Sequence, residues 1–196
     1  MRIIAGEMRS RTILAPRGNE TRPTLDRTRE SLFNIIAAYC PGARVLDLYA
    51  GSGALGLEAV SRGAEYAVFC DMSREAARVI RLNIESLGVP DRCRLLHMPD
   101  ARAAELLGRE GERFDLVFLD PPYRMDCTQA FRMLDKAGIL LEGALIAAEH
   151  AADSAQRPSG AYRLTDERKY RDTVISFYKY ERGDIHGQSA GVSGQL

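Results

Sequence analysis

Between residues 44 and 148, short apolar runs alternate with stretches of helical periodicity. Val45-Leu46-Asp47-Leu48-Tyr49 reads as a strand. A glycine-rich turn, Gly51-Ser52-Gly53-Ala54-Leu55-Gly56, follows it and opens a helix to about Ser61. Tyr66 to Cys70 is a second strand, ending at Asp71. Ser73 caps the next helix, whose apolar face is Ala77, Ile80, Ile84 and Leu87. Cys93 to His97 is a third strand. Phe114 to Leu119 is a fourth, and its nearly unbroken apolar run suits a strand covered on both faces. A helix from about Cys127 to Lys136 and a fifth strand, Ala144 to Ala148, complete the alternation. The pattern predicts an α/β fold built on an open, mostly parallel sheet with helices on both faces. Ligands of such sheets bind at the carboxyl ends of the strands. The turns after the first four strands are therefore where chemistry belongs.

The flanks read differently. Ile3-Ile4 and Ile13-Leu14, separated by Gly6 and polar residues, predict a short amino-terminal hairpin arm over residues 1–20. Asn19 to Pro23 is a polar connector, and Thr24 caps a helix to about Tyr39. Leu25, Leu32, Ile36 and Tyr39 form its apolar face. Tyr162 to Tyr170 and Thr173 to Tyr180 predict a carboxyl-terminal hairpin. Residues 1–182 are expected to form one domain, and the Gly- and Ser-rich 183–196 a disordered tail.

No apolar run approaches the roughly 20 residues that span a bilayer, and the first residues are too short an apolar stretch for a signal peptide. A cytoplasmic protein without membrane contact is the expectation. Basic and acidic residues balance at 27 each, so no global field draws the chain to nucleic acid. Residues 1–30, however, carry seven Arg against four acids, which makes one face a possible phosphate surface. Cys40, Cys70, Cys93 and Cys127 lie too far apart for a zinc signature and read as structural. No metal site is expected, and the scattered histidines support no triad.

The first turn fits G-x-G-x-x-G, and Asp71 lies 20 residues beyond Gly51, where a carboxylate can accept ribose hydroxyls. That much suits a dinucleotide enzyme. Asp47, four residues before Gly51, does not. An acid there repels pyrophosphate and attracts a cation. S-adenosyl-L-methionine carries an ammonium and a sulfonium together with a ribose and an adenine. Asp100, after the third strand, can accept from the adenine amine, with the Ala101 N–H beside it.

Asp120-Pro121-Pro122-Tyr123 directly follows the fourth strand. An exocyclic purine amine is a poor nucleophile, because its lone pair is delocalised into the ring. Asp120 can accept one of its N–H groups and the Pro121 carbonyl the other. The prolines stiffen the turn, and Tyr123 offers a flat face for an extruded base. Catalysis is then positioning and desolvation for a direct displacement, without a covalent cysteine.

These residues resemble the RsmD-type 16S rRNA (guanine-N2)-methyltransferases of the class I, Rossmann-like S-adenosylmethionine-dependent fold. Four segments carry the likeness: Met1 to Gly6, Arg22 to Asn34, Leu46 to Gly56 with Glu58-Ala59, and Phe114 to Tyr123. The likeness runs to about Arg182, while Glu7 and Ser10 stand where the family arm has a basic residue and a glycine. The resemblance implies a seven-stranded sheet ending in an antiparallel hairpin. It implies 16S rRNA as partner, within an assembling small subunit. A monomer is the separate expectation, with the oligomeric state left open by the sequence. It places Ala50, Gly51, Ser52, Gly53 and Met72 at the cofactor with Asp47, Asp71, Asp100 and Ala101. Arg2, Arg9, Arg11, Arg22 and Arg27 would face RNA. The alternatives are an adenine-N6 DNA enzyme, a protein-glutamine enzyme and a nicotinamide dehydrogenase. The first lacks room here for a recognition domain. The second usually has Asn in place of Asp120. Asp47 and the Asp-Pro-Pro-Tyr turn speak against the third.

Overall fold

The computed structural model describes residues 1–16, 23–121, 127–152, 158, 160–170 and 173–182. Seven strands form one sheet: β1 (Arg44–Asp47), β2 (Tyr66–Cys70), β3 (Cys93–Leu96), β4 (Phe114–Leu119), β5 (Leu140–Ala151), β6 (Tyr162–Tyr170) and β7 (Thr173–Tyr180). Their order is β3-β2-β1-β4-β5-β7-β6. Pairs among β1 to β5 are parallel, and β7 runs antiparallel to β5 and β6. The helices are α1 (Pro23–Ile36), α2 (Ala54–Ser61), α3 (Arg74–Leu87), α4 (Asp100–Arg109) and α5 (Cys127–Ala137).

Strand alternation divides the core in two. Val45, Leu116, Phe118, Leu145, Ala147, Ile175 and Phe177 face one side, under α1, α2, α3 and the arm. Leu46, Val117, Leu119, Ile146 and Ala148 face the other, under α4 and α5. On the first side Phe33 of α1 packs on Phe118, with ring centroids 5.7 Å apart. On the second, Phe131 of α5 meets Tyr162 and Tyr178 edge-on, which fastens the carboxyl-terminal hairpin to that helix. α3 is capped as its sequence predicts: the Ser73 hydroxyl accepts the Ala76 N–H at 3.3 Å, and Gly88 ends it in the left-handed conformation.

Four elements differ in detail from expectation. First, the arm does fold back on itself: Ile3 donates to the Arg11 carbonyl at 2.9 Å, Ser10 to the Ile3 carbonyl at 2.9 Å and Ile13 to the Met1 carbonyl at 3.0 Å, around the antiparallel bridge of Arg2 to Thr12, but the pairing stops short of a ladder of two regular strands. Other elements take further backbone groups of the arm. Ile4 and Ala5 donate to the Glu58 carboxylate at 2.7 and 3.0 Å, and Met8 donates to Ser61 Oγ at 3.0 Å. Gly6 fits this close docking alone, since a Cβ there would lie 1.8 Å from the Ser61 carbonyl oxygen. Second, α4 occupies a stretch where no helix is expected. Its inward residues, Ala103, Ala104 and Leu107, are mostly too small to give a strong periodic signal. Third, α1 stops at Ile36 and a 3-10 turn takes Ala37–Tyr39, so Tyr39 turns out to solvent. Fourth, β5 runs well past Ala148, because the antiparallel ladder with β7 carries it to Ala151.

Ser10 adopts φ 68°, the left-handed region in which a glycine would be unstrained. Glu7 forms an ion pair with Arg92. Among the described residues no helix is long and apolar enough to cross a membrane. Residues 183–196 and Arg22, Pro122 and Tyr123 lie outside the described residues.

Candidate active site

The carboxyl ends of β1, β2 and β4 and the start of α4 bring acids to one edge of the sheet. Asp47 ends β1 on the side covered by α2 and is only 2% exposed. Its Oδ2 accepts the Gly56 N–H at 3.0 Å, near the start of α2. Burial pushes its carboxyl from the ordinary range up to about 7, against the Gly56 hydrogen bond; the charges of Asp120 and Asp71 add to the rise. A cation in front of Asp47 relieves that cost.

The glycine turn closes against the end of β2. Ala50 donates to the Cys70 carbonyl at 3.0 Å, and Gly51 donates to Asp71 Oδ2 at 2.9 Å. Gly53 is the residue before α2 and has φ 77°, which glycine adopts at no steric cost. Asp71 Oδ1 accepts the Ser73 N–H at 2.8 Å. Each Asp71 oxygen thus has one backbone donor and a further lone pair. Met72, next in the chain, is 74% exposed, and its carbonyl lies 3.2 Å from His97 Nε2.

Asp100 begins α4. Its Oδ2 accepts the Tyr49 hydroxyl at 2.7 Å, and its Oδ1 accepts the Ala101 N–H at 2.8 Å. The Ala101 N–H is therefore already engaged by its neighbour. Burial, then the Asp100 hydrogen bond, hold the Tyr49 phenol far above its ordinary value, so it remains a donor. Tyr49 is a residue that the sequence reasoning overlooked, although its place between Asp47 and the glycines was a signal.

Asp120 follows β4 and Pro121 is buried beside it. Asp120 keeps solvent-accessible surface. Desolvation of its carboxyl by the surrounding protein raises it above the ordinary aspartate range. Glu149, near the end of β5, was also overlooked. Burial and the Asp120 charge raise its carboxyl. The cysteines offer no nucleophile here: burial pushes the thiols of Cys70 and Cys93 up to about 12 and that of Cys40 up to about 11. Among the described residues no cluster of three metal-ligating side chains occurs. A shallow cavity between Tyr39, Asp115 and Glu142 opens beside the amino-terminal ends of β1 and β4, away from these acids.

Of the basic residues singled out from the sequence, Arg2, Arg9, Arg11 and Arg27 are exposed. The Arg11 guanidinium donates to the Ser86 carbonyl and, at 2.9 Å, to the Leu87 carbonyl. It satisfies the last turn of α3. A buried amide links the arm to the glycine turn. Asn83 Oδ1 accepts the Leu14 N–H at 2.7 Å, and its Nδ2 donates to the carbonyls of Leu14 at 3.0 Å and Ser52 at 2.9 Å.

Residues 1–179 match a family model described as conserved hypothetical protein 95. The YlbH protein of Bacillus subtilis (strain 168) is 35% identical over 181 residues, covering 91% of this chain and 98% of that one. The ribosomal RNA small subunit methyltransferase D of Escherichia coli (strain K12) is 36% identical over 155 residues, covering 79% of this chain and 76% of its own. The solved structure of yhhF from Escherichia coli superposes with a TM-score of 0.81 at 32% identity, covering 93% of this chain and 98% of that one. A match along nearly the whole chain, with the sheet order described above, places it in the class I methyltransferase fold, and the chain belongs to the RsmD family.

Proposed function

We propose that this chain methylates the exocyclic N2 amine of a guanine in 16S rRNA, using S-adenosylmethionine. One observation carries the reading. Asp47, Asp71 and Asp100 line the same sheet edge as Asp120-Pro121, so a cationic nucleoside site adjoins a turn built to hold an amine. The name of the Escherichia coli relative supports small-subunit ribosomal RNA as the substrate.

The donor set fits S-adenosylmethionine. The row of acids suits its ammonium and sulfonium. Asp71 retains lone pairs for two ribose hydroxyls, Asp100 is an acceptor for the adenine amine, and Met72 is an exposed apolar surface beside them. The backbone of Ala50 to Gly53 closes the turn without bulk. Bound there, S-adenosylmethionine supplies an electrophilic methyl group.

The chain's own residues do the remaining work. Asp120 accepts one N–H of the guanine amine and the Pro121 carbonyl accepts the other, which aims the nitrogen lone pair. Asp120 then takes the proton that the methylated nitrogen loses. Tyr123, three residues after Asp120 in the sequence, is assigned as the stacking face for the base. Arg2, Arg9, Arg22 and Arg27 contact RNA phosphates, and Arg11 contributes by fixing the arm to α3. The working unit is residues 1–182 as a monomer in the cytoplasm, acting on an assembling small subunit.

The test uses labelled S-adenosylmethionine and small subunits from cells lacking the protein, followed by digestion to nucleosides. Label in N2-methylguanosine is the expected result. Label in another nucleoside, or in protein, refutes the acceptor assignment.

A further inference from the structure

β4 and β5 are parallel neighbours, with Leu119 paired to Ala148. Glu149 is the next residue of β5, and Asp120 is the residue that directly follows β4. Along β4, Leu116 and Phe118 face the α1 side while Val117 and Leu119 face the other. Along β5, Leu145 and Ala147 face the α1 side while Ile146 and Ala148 face the other. The β5 alternation puts Glu149 on the α1 side, and one further residue beyond Leu119 puts Asp120 there too, at the end of a strand about 4.8 Å from β5 and close enough for its charge to act on Glu149. Asp47, on β1, lies on that same side. The β5 ladder is held beyond this point by β7, where Glu149 pairs with Ile175 and Ala151 with Thr173. Glu149 is thus fixed by sheet pairing on both sides of its position rather than by a loose loop.

No ion pair to Glu149 occurs among the described residues. On β5 itself His150 points away and contacts Ser176 Oγ at 2.9 Å. Ile175, opposite Glu149 on β7, is apolar, and Arg168, one strand further on β6, pairs with Asp166 at 2.8 Å. From α1 the buried cation is Arg29, whose Nη2 donates to the Arg2 carbonyl. The facing acids are Asp120 and, beyond it, Asp47 and Asp71. Two neighbouring carboxyls in such a setting do not both ionise readily.

We propose that Asp120 and Glu149 work as a one-proton carboxyl pair, in which Glu149 is the neutral, positioning member and Asp120 the charged member that faces the acceptor amine. The inference rests on the acceptor assignment above and deepens it. Methylation forms a nitrogen–carbon bond with the nitrogen lone pair, and the breaking sulfur–carbon bond leaves its electrons on sulfur. The nitrogen then carries one proton too many, which passes to the Asp120 carboxylate and on to water. That transfer needs Asp120 ionised and aimed. A neutral Glu149 permits both, and a charged one repels Asp120 from its place. Burial and the Asp120 charge raise the Glu149 carboxyl, consistent with its neutral role near pH 7.

The pair can be read without cofactor or RNA. Carboxyl-carbon NMR of the unliganded full chain, with the Glu149 signal identified by its loss in Glu149→Gln, gives its titration midpoint. The expected midpoint lies well above the ordinary glutamate range and drops by about one pH unit or more in Asp120→Asn, the scale of removing a close like charge. An identical midpoint in both proteins overturns the pair. In methyl transfer, Glu149→Gln should keep kcat at pH 7 within about threefold and lose the alkaline fall of the profile. Glu149→Ala should lower kcat by about tenfold with KM for RNA little changed, the scale of losing one hydrogen bond that positions Asp120. A Glu149→Ala protein with the unsubstituted kcat and pH profile also overturns the proposal. An unsubstituted protein that methylates no guanine counts against the acceptor assignment instead, and the titration still decides the pair.

Discussion

The Asp47 carboxylate holds the Gly56 amide at 3.0 Å from within the core, so the acid nearest the glycine turn also anchors the helix that the turn opens. Its carboxyl is pushed from 3.8 to about 7, chiefly by burial. Between those values the folded protein holds a proton that the unfolded chain has lost. The contribution of Asp47 to stability therefore falls as pH rises from about 4 to about 7, and is fully present below that window. Asp47→Asn removes the titration and keeps an acceptor for Gly56. Its melting temperature should gain on the unsubstituted protein as pH rises through the window, while its affinity for S-adenosylmethionine falls. Parallel melting curves across pH 4 to 8 would show that Asp47 titrates as it does in the unfolded chain.

Glu58 ties the arm to α2 without touching the acid row. It is fully buried, accepts the Ile4 and Ala5 amides, and pairs with Arg62 at 2.8 Å. Removing it leaves a largely buried cation and two amides without their acceptor. Glu58→Ala should cost about 3–5 kcal/mol, the range for breaking a buried pair from one side. The arm should also become cleavable by trypsin at Arg9. Unchanged melting and an uncut arm would mean that the arm docks by its apolar residues alone.

Asn83 couples the arm to the glycine turn through three backbone groups. Asn83→Ala leaves them unpaired in the interior, at about 1–3 kcal/mol for each group that stays dry. Asn83→Asp should be worse than Asn83→Ala, since a carboxylate would face the Leu14 and Ser52 carbonyls. Both variants should bind S-adenosylmethionine more weakly, because Ser52 lies in the turn. Calorimetry showing full affinity in Asn83→Ala would uncouple the two.

The alternation of strands and helices was readable because its apolar runs are long and its turns carry glycine or an acid. β4 is the clearest case, with six residues buried on both faces but for Asp115. The acids Asp47, Asp71, Asp100 and Asp120 were legible by position, as each ends or follows a strand. Glu149 was not, because β5 was expected to stop at Ala148 and the β7 ladder that extends it is a long-range pairing. α4 was hidden by its small inward residues. The arm read as a hairpin because its apolar pairs fit one, and its two halves do bond to each other. What the sequence did not show is its docking through Glu58, Ser61 and Asn83, which are distant in sequence and take further backbone groups. Arg11 read as an RNA contact on charge alone; its bonds to the carbonyls at the end of α3 could not be read from the sequence.

Donor and acceptor duties should separate cleanly between Asp71 and Asp120. Asp71 holds the turn: its Oδ2 accepts the Gly51 amide and its Oδ1 the Ser73 amide. In the proposed site its remaining lone pairs take two ribose hydroxyls, so Asp71→Ala should weaken S-adenosylmethionine binding by about 1–3 kcal/mol. Asp120 is the proposed acceptor of the target amine. Asp120→Ala should leave cofactor affinity nearly intact and lower methyl transfer by about 10²-fold or more, the scale of losing a positioned proton acceptor. Raising salt gives an independent division, since it should weaken RNA binding through the exposed Arg2, Arg9 and Arg27 and leave cofactor binding almost unchanged. Binding isotherms and single-turnover rates on the two variants decide the matter. Full activity in Asp120→Ala would remove the Asp-Pro turn from the reaction. Wild-type cofactor affinity in Asp71→Ala would move the ribose elsewhere on the edge.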